Sequence, residues 1–521
     1  MNRRFLLGAT AALVALPFRV TAAQTRPRDM ELTLKDIGAA FAAGSLTSVG
    51  LTRFYLRRIA AMNRSGPQLR AVLETNPAAL DHAAALDRER RAGGVRGPLH
   101  GVPILIKDNV ETADRMMTTA GSLALEGWYA PRDAPLVARL RAAGAVILGK
   151  ANMSEWANFR STHSSSGWSA RGGQTRNPYA LDRSPSGSSS GSAVAVSANL
   201  CAMAVGTETD GSIVSPASIN GIVGLKPTVG LVSRTGIVPI SHTQDTAGPL
   251  ARTVRDAAVM LGVMAGTDPA EDSTPAAGSR APPDYLRFLD PDGLRGARLG
   301  VARRFFATNA PLDRFLDRCV AALRKAGAVV VDPVDGPAGT STAEAEEVVL
   351  QYEFKAGLNA YLTRLPGRFP VHSLHDLIRF NETHADTEMA LFDQELLRQS
   401  DARGGLDEPA YREALATCRD PGRPGGIDAL LSAHQLDALV ALTAGPATVI
   451  DPVNGEADSG GCSSPAAVAG YPHITVPAGL HRGLPIGMSF YGAALGEPML
   501  LRLASGFEAT VRGRVEPSSI A

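Results

Sequence analysis

The sequence is poor in cysteine, in aromatic residues and in excess charge of either sign. Only four cysteines occur in 521 residues, and no two of them form a CxxC pair. This scarcity excludes a zinc knuckle and a disulfide scaffold, so we interpret the cysteines as buried thiols. The 52 basic and 51 acidic side chains nearly cancel, which leaves no long-range field to recruit nucleic acid or anionic lipid. The sequence therefore predicts neither a nucleic-acid partner nor a membrane partner for the mature protein.

Long apolar runs are also missing, except near the N-terminus. Arg3 and Arg4 precede an apolar run from Phe5 to Leu16, and small residues follow as far as Ala23. This layout is typical of a signal peptide that is too short to span a bilayer, and the paired arginines approximate a twin-arginine signal. We therefore expect residues 1–23 to be a signal peptide for the twin-arginine or the general secretory route. The mature protein is then predicted to be periplasmic or secreted from a bacterium.

The rest of the composition is that of a globular protein, with 45% apolar and 20% charged residues. The continuous apolar run 102–106 is typical of a strand buried on both faces of a sheet. A helical pattern at 136–143 separates it from a second apolar run at 145–148, which together predict a βαβ unit. We therefore predict a single α/β domain over residues 24–521, an α/β/α sandwich with a mixed, mostly parallel central sheet covered by helices. The charged, helical segment at about 341–430 is predicted to be a peripheral insertion.

Three patterns are similar to known active sites but have the wrong context. Residues 144–151 nearly match a phosphate-binding P-loop, but the last position is alanine and the intervening residues form an apolar strand. Gly187–Gly191 fits the nucleophile elbow of α/β-hydrolases, with Ser189 as nucleophile, but no apolar strand precedes it. His372 and His375 have the spacing of metal ligands, without an evident third ligand. We therefore predict no metal and no cofactor.

A fourth pattern combines Lys107 with two loops rich in serine and glycine, residues 186–191 and 206–212. A lysine replaces the Asp-His pair as base in some serine hydrolases, provided that burial lowers its pKa from about 10.4. Lys107 follows an all-apolar strand, where such burial is expected. The run 209–212 has glycine before serine, so it can turn sharply and direct successive backbone N–H groups at one oxyanion. The alternative is that both loops are simple turns and that Lys107 only ends a strand.

Five separated motifs resemble those of the amidase signature family, in the order that the family has them. They are Lys107-Asp108-Asn109, residues 184–192, residues 206–213, residues 224–228 and residues 483–487. The spacing between Ser188 and Ser212 is also the one that the family requires. The resemblance covers the chain from about residue 30 to about residue 510.

The resemblance implies a role for each residue of the fourth pattern. By it, Ser212 is the nucleophile, Ser188 is a bridging serine with a cis peptide, and Lys107 is the base. Together they would hydrolyse an amide without a metal or a cofactor. The backbone N–H groups that would form the oxyanion hole are those of Thr209, Asp210, Gly211 and Ser212.

Two positions depart from the family pattern, because Asp210 and Val214 stand where most members have glycine and arginine. With the segments 154–160 and 166–174, they make the chain similar to bacterial peptide amidases. The expected substrate is therefore the C-terminal amide of a peptide, with release of ammonia. The alternative is a broad amidase acting on small aliphatic or aryl amides, and a remote one is a noncatalytic binding module. Asp210 and Asn158 are candidate substrate contacts, unless both only tie loops together.

Overall fold

The computed structural model describes residues 31–520 apart from 283, 306–308, 336–341, 421–422 and 424. The signal peptide predicted for residues 1–23 therefore lies outside the described residues. Within the described part, the chain forms one sheet surrounded by helices. No helix in that part is both long enough and apolar enough to cross a bilayer.

The strands of the sheet are β1 (Val72–Thr75), β2 (Pro103–Lys107), β3 (Val146–Ala151), β4 (Met203–Glu208), β5 (Val223–Lys226), β6 (Thr246–Ala251), β7 (Arg298–Val301), β8 (Val329–Val331), β9 (Ala438–Leu442), β10 (His473–His481) and β11 (Leu484–Tyr491). The α-helices are α1 (Leu34–Ala42), α2 (Ser48–Met62), α3 (Ala79–Arg91), α4 (Pro135–Ala142), α5 (Ser190–Ser197), α6 (Val214–Ile219), α7 (Val254–Met264), α8 (Thr274–Ala277), α9 (Ala310–Lys325), α10 (Ala343–Leu362), α11 (Leu374–Thr383), α12 (Ala385–Glu388), α13 (Glu395–Asp401), α14 (Pro409–Arg419), α15 (Ile427–His434), α16 (Ser464–Ala469) and α17 (Glu497–Val511). Short 3₁₀ turns occur at Leu123–Leu125, Glu155–Asn158, Gly278–Arg280, Leu286–Phe288 and Ser518–Ile520.

The strands follow the order β1-β3-β2-β4-β6-β5-β10-β11-β9-β7-β8 across the sheet. The sheet is mixed, as predicted: β2 is parallel to β3 and β4, and β7 is parallel to β8 and β9. The other neighbouring pairs of described strands are antiparallel, so the expectation of a mostly parallel sheet does not hold. A strand that is covered on both faces has an apolar sequence whether it runs parallel or antiparallel to its neighbours. The hydrophobic pattern alone therefore does not predict the direction of a strand.

A tight hairpin accounts for the longest antiparallel pairing. Strands β10 and β11 are joined through Arg482 and Gly483, which both have positive φ, at 51° and 84°. Two successive residues with positive φ are what a two-residue hairpin turn with the twist of the flanking strands requires. The pair therefore returns directly instead of crossing over through a helix.

Helices cover the sheet: α5 is buried on every side, whereas an amphipathic helix such as α9 buries one face. Helix α5 packs on β4, α7 on β6 and α17 on β10. Helix α9 shows the local logic: the Asn309 side chain accepts from the N–H of Leu312 at 3.3 Å, and the helix then buries one face. The buried residues of that face are Leu312, Phe315, Leu316, Cys319, Val320 and Leu323.

Helices α10 to α14 lie in the chain between β8 and β9. Side chains of α10, α11 and α13 form a separate apolar cluster with the loops that follow β2 and β3, among them Trp128, Trp156 and Phe159, whereas α14 packs on α10 in another cluster. These helices therefore contact the loops at one edge of the sheet. At the same edge, the parallel strands β2 and β4 end at Lys107 and Glu208, which brings their carboxyl ends together.

Candidate active site

Lys107 is fully buried at the end of β2, and its side chain reaches two loops. Its Nζ lies 2.8 Å from Oγ of Ser188 and 3.0 Å from Oγ of Ser189. It also lies 2.8 Å from Oγ1 and 3.1 Å from the carbonyl oxygen of Thr207. Each partner is neutral, so the lysine has hydroxyl and carbonyl contacts instead of a direct ion pair.

The protonation state of Lys107 follows from these surroundings. Burial lowers the pKa of Lys107 to about 7, while the more distant carboxylates of Glu208 and Asp245 act in the opposite direction. Removing an ammonium from water without a bonded counter-charge favours the neutral amine. Near neutral pH, a large fraction of Lys107 is therefore an amine that can accept a proton.

Ser188 lies in the serine-rich loop before α5, and the peptide bond between Gly187 and Ser188 is cis. Its carbonyl oxygen accepts from the N–H of Ser154 at 3.1 Å. Gly187 is required here, because a Cβ would lie 2.1 Å from Oγ of Ser154. Close packing between the two loops thus fixes the position of the Ser188 hydroxyl next to Lys107.

Ser212 is buried in the loop between β4 and α6, and Gly211 before it has a φ of 76°. This left-handed conformation favours glycine, and it lets the chain turn sharply after the strand. The N–H of Ser189 donates to the carbonyl oxygen of Ser212 at 3.1 Å. The loop of Ser212 is therefore tied to the residue that follows Ser188.

Glu208 shapes the same loop. Its carboxylate accepts from the N–H groups of Gly211 at 3.0 Å, Ile213 at 2.7 Å and Val214 at 3.0 Å. Burial raises the pKa of Glu208, and the Lys226 ammonium and these N–H donors lower it. Sequence reasoning missed this residue, although an acid at the end of an otherwise apolar strand was a visible signal.

The four backbone N–H groups expected to form the oxyanion hole are not equivalent in the structure. That of Gly211 is bonded to Glu208. Those of Thr209, Asp210 and Ser212 donate to no group among the described residues. The loop therefore presents several N–H donors beside Ser212, which suits the binding of a negatively charged oxygen.

A second acid, Asp245, supports the loop through Thr209. The hydroxyl of Thr209 donates to Asp245 Oδ1 at 2.6 Å, and the N–H groups of Ile240 and Ser241 donate to Oδ2 at 2.8 and 2.9 Å. Burial raises the pKa of Asp245 to about 6, against the lowering effect of these donors. Asp245 was also missed, because nothing near it in sequence marks a motif.

Both candidate substrate contacts carry a buried oxygen that has no hydrogen-bond donor among the described residues. In Asp210, Oδ2 accepts from the hydroxyl of Ser464 at 2.6 Å, whereas Oδ1 has no donor. In Asn158, Oδ1 has none either. Buried acceptors are normally paired, so unpaired ones are candidates for contacts with a bound molecule.

Asn158 ends a turn of unusual conformation, in which Trp156, Ala157 and Asn158 have φ values of 49°, 54° and 73°. Left-handed backbone costs roughly 1–2 kcal/mol per non-glycine residue, so neighbouring contacts must hold the turn. One is the bond from the N–H of Trp156 to the carbonyl oxygen of Ala120, at 3.0 Å. The turn therefore presents the Asn158 side chain in a fixed orientation.

A buried ion pair anchors the chain on both sides of that turn, and sequence reasoning missed it as well. Arg160 is fully buried and contacts the carboxylate of Glu155. Its guanidinium lies 5.2 Å from the ring centroid of Trp168 and 4.1 Å from that of Phe392. The same side chain bonds the carbonyl oxygen of Glu388 in α12. Arg160 therefore joins the loop after β3 to the helices between β8 and β9.

Of the three patterns dismissed from the sequence, Gly187–Gly191 lies at this site, since its Ser188 and Ser189 contact Lys107, whereas the other two lie away from these contacts. Most of the P-loop-like run forms β3, where Lys150 is buried and donates to the carbonyl oxygen of Val110 and to Thr118. His375 lies beside Asp401, 3.2 Å away, on an exposed surface. The described residues contain no cluster of three or more side chains able to hold a metal ion.

Comparison with known proteins gives consistent matches over almost the whole chain. The family model described as Amidase matches residues 50–501. A protein of Arabidopsis thaliana named as a probable amidase is 44% identical over 94% of this chain and 92% of its own length. An amidase homologue of Schizosaccharomyces pombe is 39% identical over 91% of this chain and 84% of its own length.

Solved structures match equally well. The native peptide amidase from Stenotrophomonas maltophilia is 55% identical, with a TM-score of 0.89 over 94% of this chain and 98% of that one. A peptide amidase in complex with the competitive inhibitor chymostatin gives a TM-score of 0.90 at the same identity, over 94% and 99% of the two chains. The architecture described above is thus that of solved amidases.

These comparisons also correct the expected localisation. The curated relatives that match along most of the chain include plant and fungal proteins. They contradict an assignment to the periplasm or to secretion from a bacterium, so that prediction is wrong. Arg3, Arg4 and the apolar run that suggested it lie outside the described residues.

Proposed function

The chain belongs to the amidase family, and on that premise we propose that it is a serine amidohydrolase that removes the C-terminal amide of peptides. Family membership makes it an amide-hydrolysing enzyme. The observation that carries the proposed mechanism is the hydrogen bond between Lys107 Nζ and Ser188 Oγ, which are 2.8 Å apart. It joins a base that is partly neutral near pH 7 to a hydroxyl that can relay a proton.

In the first half of the reaction, Ser212 Oγ attacks the carbonyl carbon of the amide. Its proton passes to Ser188, while the proton of Ser188 passes to the neutral amine of Lys107. The carbonyl oxygen becomes an oxyanion, which accepts from the N–H groups of Thr209, Asp210 and Ser212; their lack of any other acceptor among the described residues supports this role. Glu208 and Asp245 act as positioning residues, because they hold the loop that carries those groups.

The tetrahedral intermediate then collapses with cleavage of the C–N bond. The leaving nitrogen takes a proton back from Lys107 through Ser188 and departs as ammonia, leaving an ester on Ser212. A water molecule repeats the sequence: its proton goes to Lys107 through Ser188, and its oxygen forms a bond to the ester carbon. The bond between the ester carbon and Ser212 Oγ then breaks, and Ser212 Oγ takes the proton back from Lys107 through Ser188. This step releases the free carboxylic acid and regenerates Ser212.

The choice of peptide amides rests on three features. The solved peptide amidase is more than half identical in sequence to this chain. Asp210 and Asn158 each offer a buried oxygen without a donor, which the N–H groups of a peptide could satisfy. Buried Val214 places an apolar side chain two positions after Ser212, so no cation is present there to hold a substrate carboxylate.

The test is release of ammonia from a C-terminally amidated dipeptide by the purified full-length chain. We expect the amidated dipeptide to be converted with a higher kcat/KM than acetamide, and the free-acid dipeptide to remain intact. Equal or better turnover of acetamide would favour the broad amidase instead. Cleavage of the internal peptide bond would refute both assignments.

A further inference from the structure

The helices between β8 and β9 contribute one acid to the loop of Ser212. Glu346 lies in the first turns of α10 and is 7% exposed. The carboxyl groups of Glu346 and Asp210 are hydrogen-bonded to each other. Asp210 stands two positions before Ser212, so the contact joins the helical segment directly to the nucleophile loop.

No cation makes a direct ion pair with either of these two carboxyl groups among the described residues. Neither Asp210 nor Glu346 takes part in any ion pair within the described part of the chain. The hydrogen bonds made to them come from neutral groups: Ser464 donates to Asp210 Oδ2 at 2.6 Å, and Gln244 donates to Glu346 Oε1 at 2.8 Å. Two ionised carboxylates in contact would repel strongly in such a place, so both cannot be charged at once.

A single proton on Glu346 would remove this repulsion and would also give the unpaired oxygen of Asp210 a hydrogen-bond donor. Asp210 Oδ1 is buried, and no N–H or hydroxyl group among the described residues donates to it. A carboxylic acid is itself a donor through its O–H group. Glu346 Oε1 already accepts from Gln244, which leaves Oε2 to carry the proton.

We propose that Glu346 is a positioning residue that stays protonated at neutral pH and donates its hydrogen bond to the carboxylate of Asp210. The pair then carries a single negative charge, located on the residue of the nucleophile loop. Each carboxylate oxygen has two lone pairs, so Asp210 can accept from Glu346 and Ser464 and still accept from an N–H group of a peptide amide. This role rests on the proposed function, since it assigns Asp210 to substrate binding.

The surroundings agree with a neutral Glu346. Burial is the main factor that raises the pKa of Glu346, and the neighbouring Asp210 raises it further, whereas the bond from Gln244 lowers it. The titratable groups that act on the pair are few. Asp210 acts electrostatically on Glu208, Lys226 and Cys462, and Glu346 acts on Cys418 of α14. Lys226 is the one cation among them.

Gln244 also links the pair to the predicted oxyanion hole. Its amide nitrogen lies 2.8 Å from Glu346 Oε1 and 3.4 Å from the carbonyl oxygen of Thr209. A change in the charge of Glu346 would therefore affect Asp210 directly and Thr209 through Gln244. The matched comparison is Glu347, the exposed neighbour on the same helix, which interacts with Gln351.

The first test asks only where the proton is, and needs no turnover. Difference infrared spectra of the wild type and Glu346→Gln at pH 7 should show that the carbonyl stretch of one protonated carboxylic acid is lost in the variant. Glu347→Gln should show loss of carboxylate absorption instead. Loss of carboxylate absorption in Glu346→Gln would overturn the proposal, whatever the enzyme's substrate is.

The second test asks whether the bond positions Asp210. For an amidated dipeptide, Glu346→Gln should keep kcat/KM within about threefold of wild type, because its amide N–H can replace the O–H donor. Glu346→Ala should raise KM about tenfold and change kcat less, while acetamide turnover changes little in either variant. A glutamine variant as impaired as the alanine variant would overturn the positioning role. If no variant or wild type converts amidated peptides, the proposed substrate fails, and the infrared result still decides the protonation of Glu346.

Discussion

The side-chain nitrogen of Lys107 lies 2.8 Å from the hydroxyl oxygen of Ser188, and both side chains are sealed from solvent. No carboxylate is hydrogen-bonded to this lysine in the described part of the chain, so burial decides its pKa. The neutral amine of Lys107 is therefore populated near neutral pH because the carboxylates of Glu208 and Asp245 act on it only from a distance.

Replacement of the nucleophile should abolish turnover. Ser212→Ala removes the hydroxyl that forms the ester, so we expect no detectable ammonia release and no labelling by a fluorophosphonate probe, with normal folding. Ser189→Ala is the comparison, because Ser189 Oγ contacts Lys107 and the backbone at Thr207. It should lose some activity yet keep probe labelling. Labelling that survives in Ser212→Ala and disappears in Ser189→Ala would favour the nucleophile elbow.

The pH dependence of kcat/KM should report the titration of Lys107. The ammonium form cannot accept a proton, so activity should rise as the pH increases through about 7 and level off above it. Lys107→Ala should remove this rising limb and lower kcat/KM by about 10²- to 10⁴-fold, the usual contribution of a general base. The measurement is a pH series of initial rates with an amidated dipeptide.

Lys150 provides a matched control for that profile. It is buried like Lys107, and burial lowers its pKa to about 8, but it contacts Val110 and Thr118 and neither serine. Lys150→Met should therefore keep the rising limb near pH 7, even if stability falls. A limb that moves or vanishes in this variant would mean that the profile does not belong to Lys107.

The positions of the buried strands could be predicted from the sequence, whereas their directions could not. The apolar run at 102–106 corresponds to β2 within one residue, and the run at 145–148 covers the first half of β3. Strand β1 was missed, because Val72–Thr75 is short and ends in two polar residues within a helical region. Strand β6 was missed too: its sequence Thr-Ala-Gly-Pro-Leu-Ala has low strand propensity, and burial between β4 and β5 overrides that preference.

Some residues of the candidate site could likewise be predicted from the sequence, and others could not. Lys107 and the two serine loops have local signals, namely a charged residue after an apolar run and dense Ser/Gly composition. The residues that support them come from distant parts of the chain. Asp245 accepts a hydrogen bond from Thr209, and Glu346 contacts Asp210, although 136 positions separate these last two residues in the sequence. No spacing rule connects such residues, since tertiary packing of separate elements brings them together.

Glu208 should be needed both for stability and for the shape of the oxyanion loop. Glu208→Ala leaves the N–H groups of Gly211, Ile213 and Val214 without their acceptor. Each buried, unsatisfied donor costs about 1–3 kcal/mol, so we expect the free energy of unfolding to fall by about 3 kcal/mol or more. Urea titration measures this loss. Glu208→Gln keeps one carbonyl acceptor and should be less destabilised, with a lower kcat and nearly unchanged KM. A fully active Glu208→Ala would contradict the assignment.

The last prediction concerns the discrimination between an amide and an acid. A free C-terminal carboxylate bound next to Ser212 would be repelled by the carboxylate of Asp210, and Val214 offers it no positive charge. Burial of an unpaired charge is costly, so a free-acid dipeptide should be a weak competitive inhibitor of the wild type. A neutral carboxamide avoids this cost, and Asp210 can accept from a backbone N–H of the same peptide.

Asp210→Asn should therefore change two quantities in opposite directions. The loss of a hydrogen bond to a charged acceptor costs about 1.5–3 kcal/mol, so kcat/KM for an amidated dipeptide should fall roughly ten- to a hundredfold, and that for acetamide much less. Without the negative charge, the free-acid dipeptide should inhibit more strongly than it inhibits the wild type. A structural role for Asp210 would lower the turnover of both amides equally and leave inhibition by the acid unchanged. Asp210→Asn thus separates substrate recognition from loop stability, because only a recognition role changes the preference for the amidated dipeptide over acetamide together with the inhibition by the free acid.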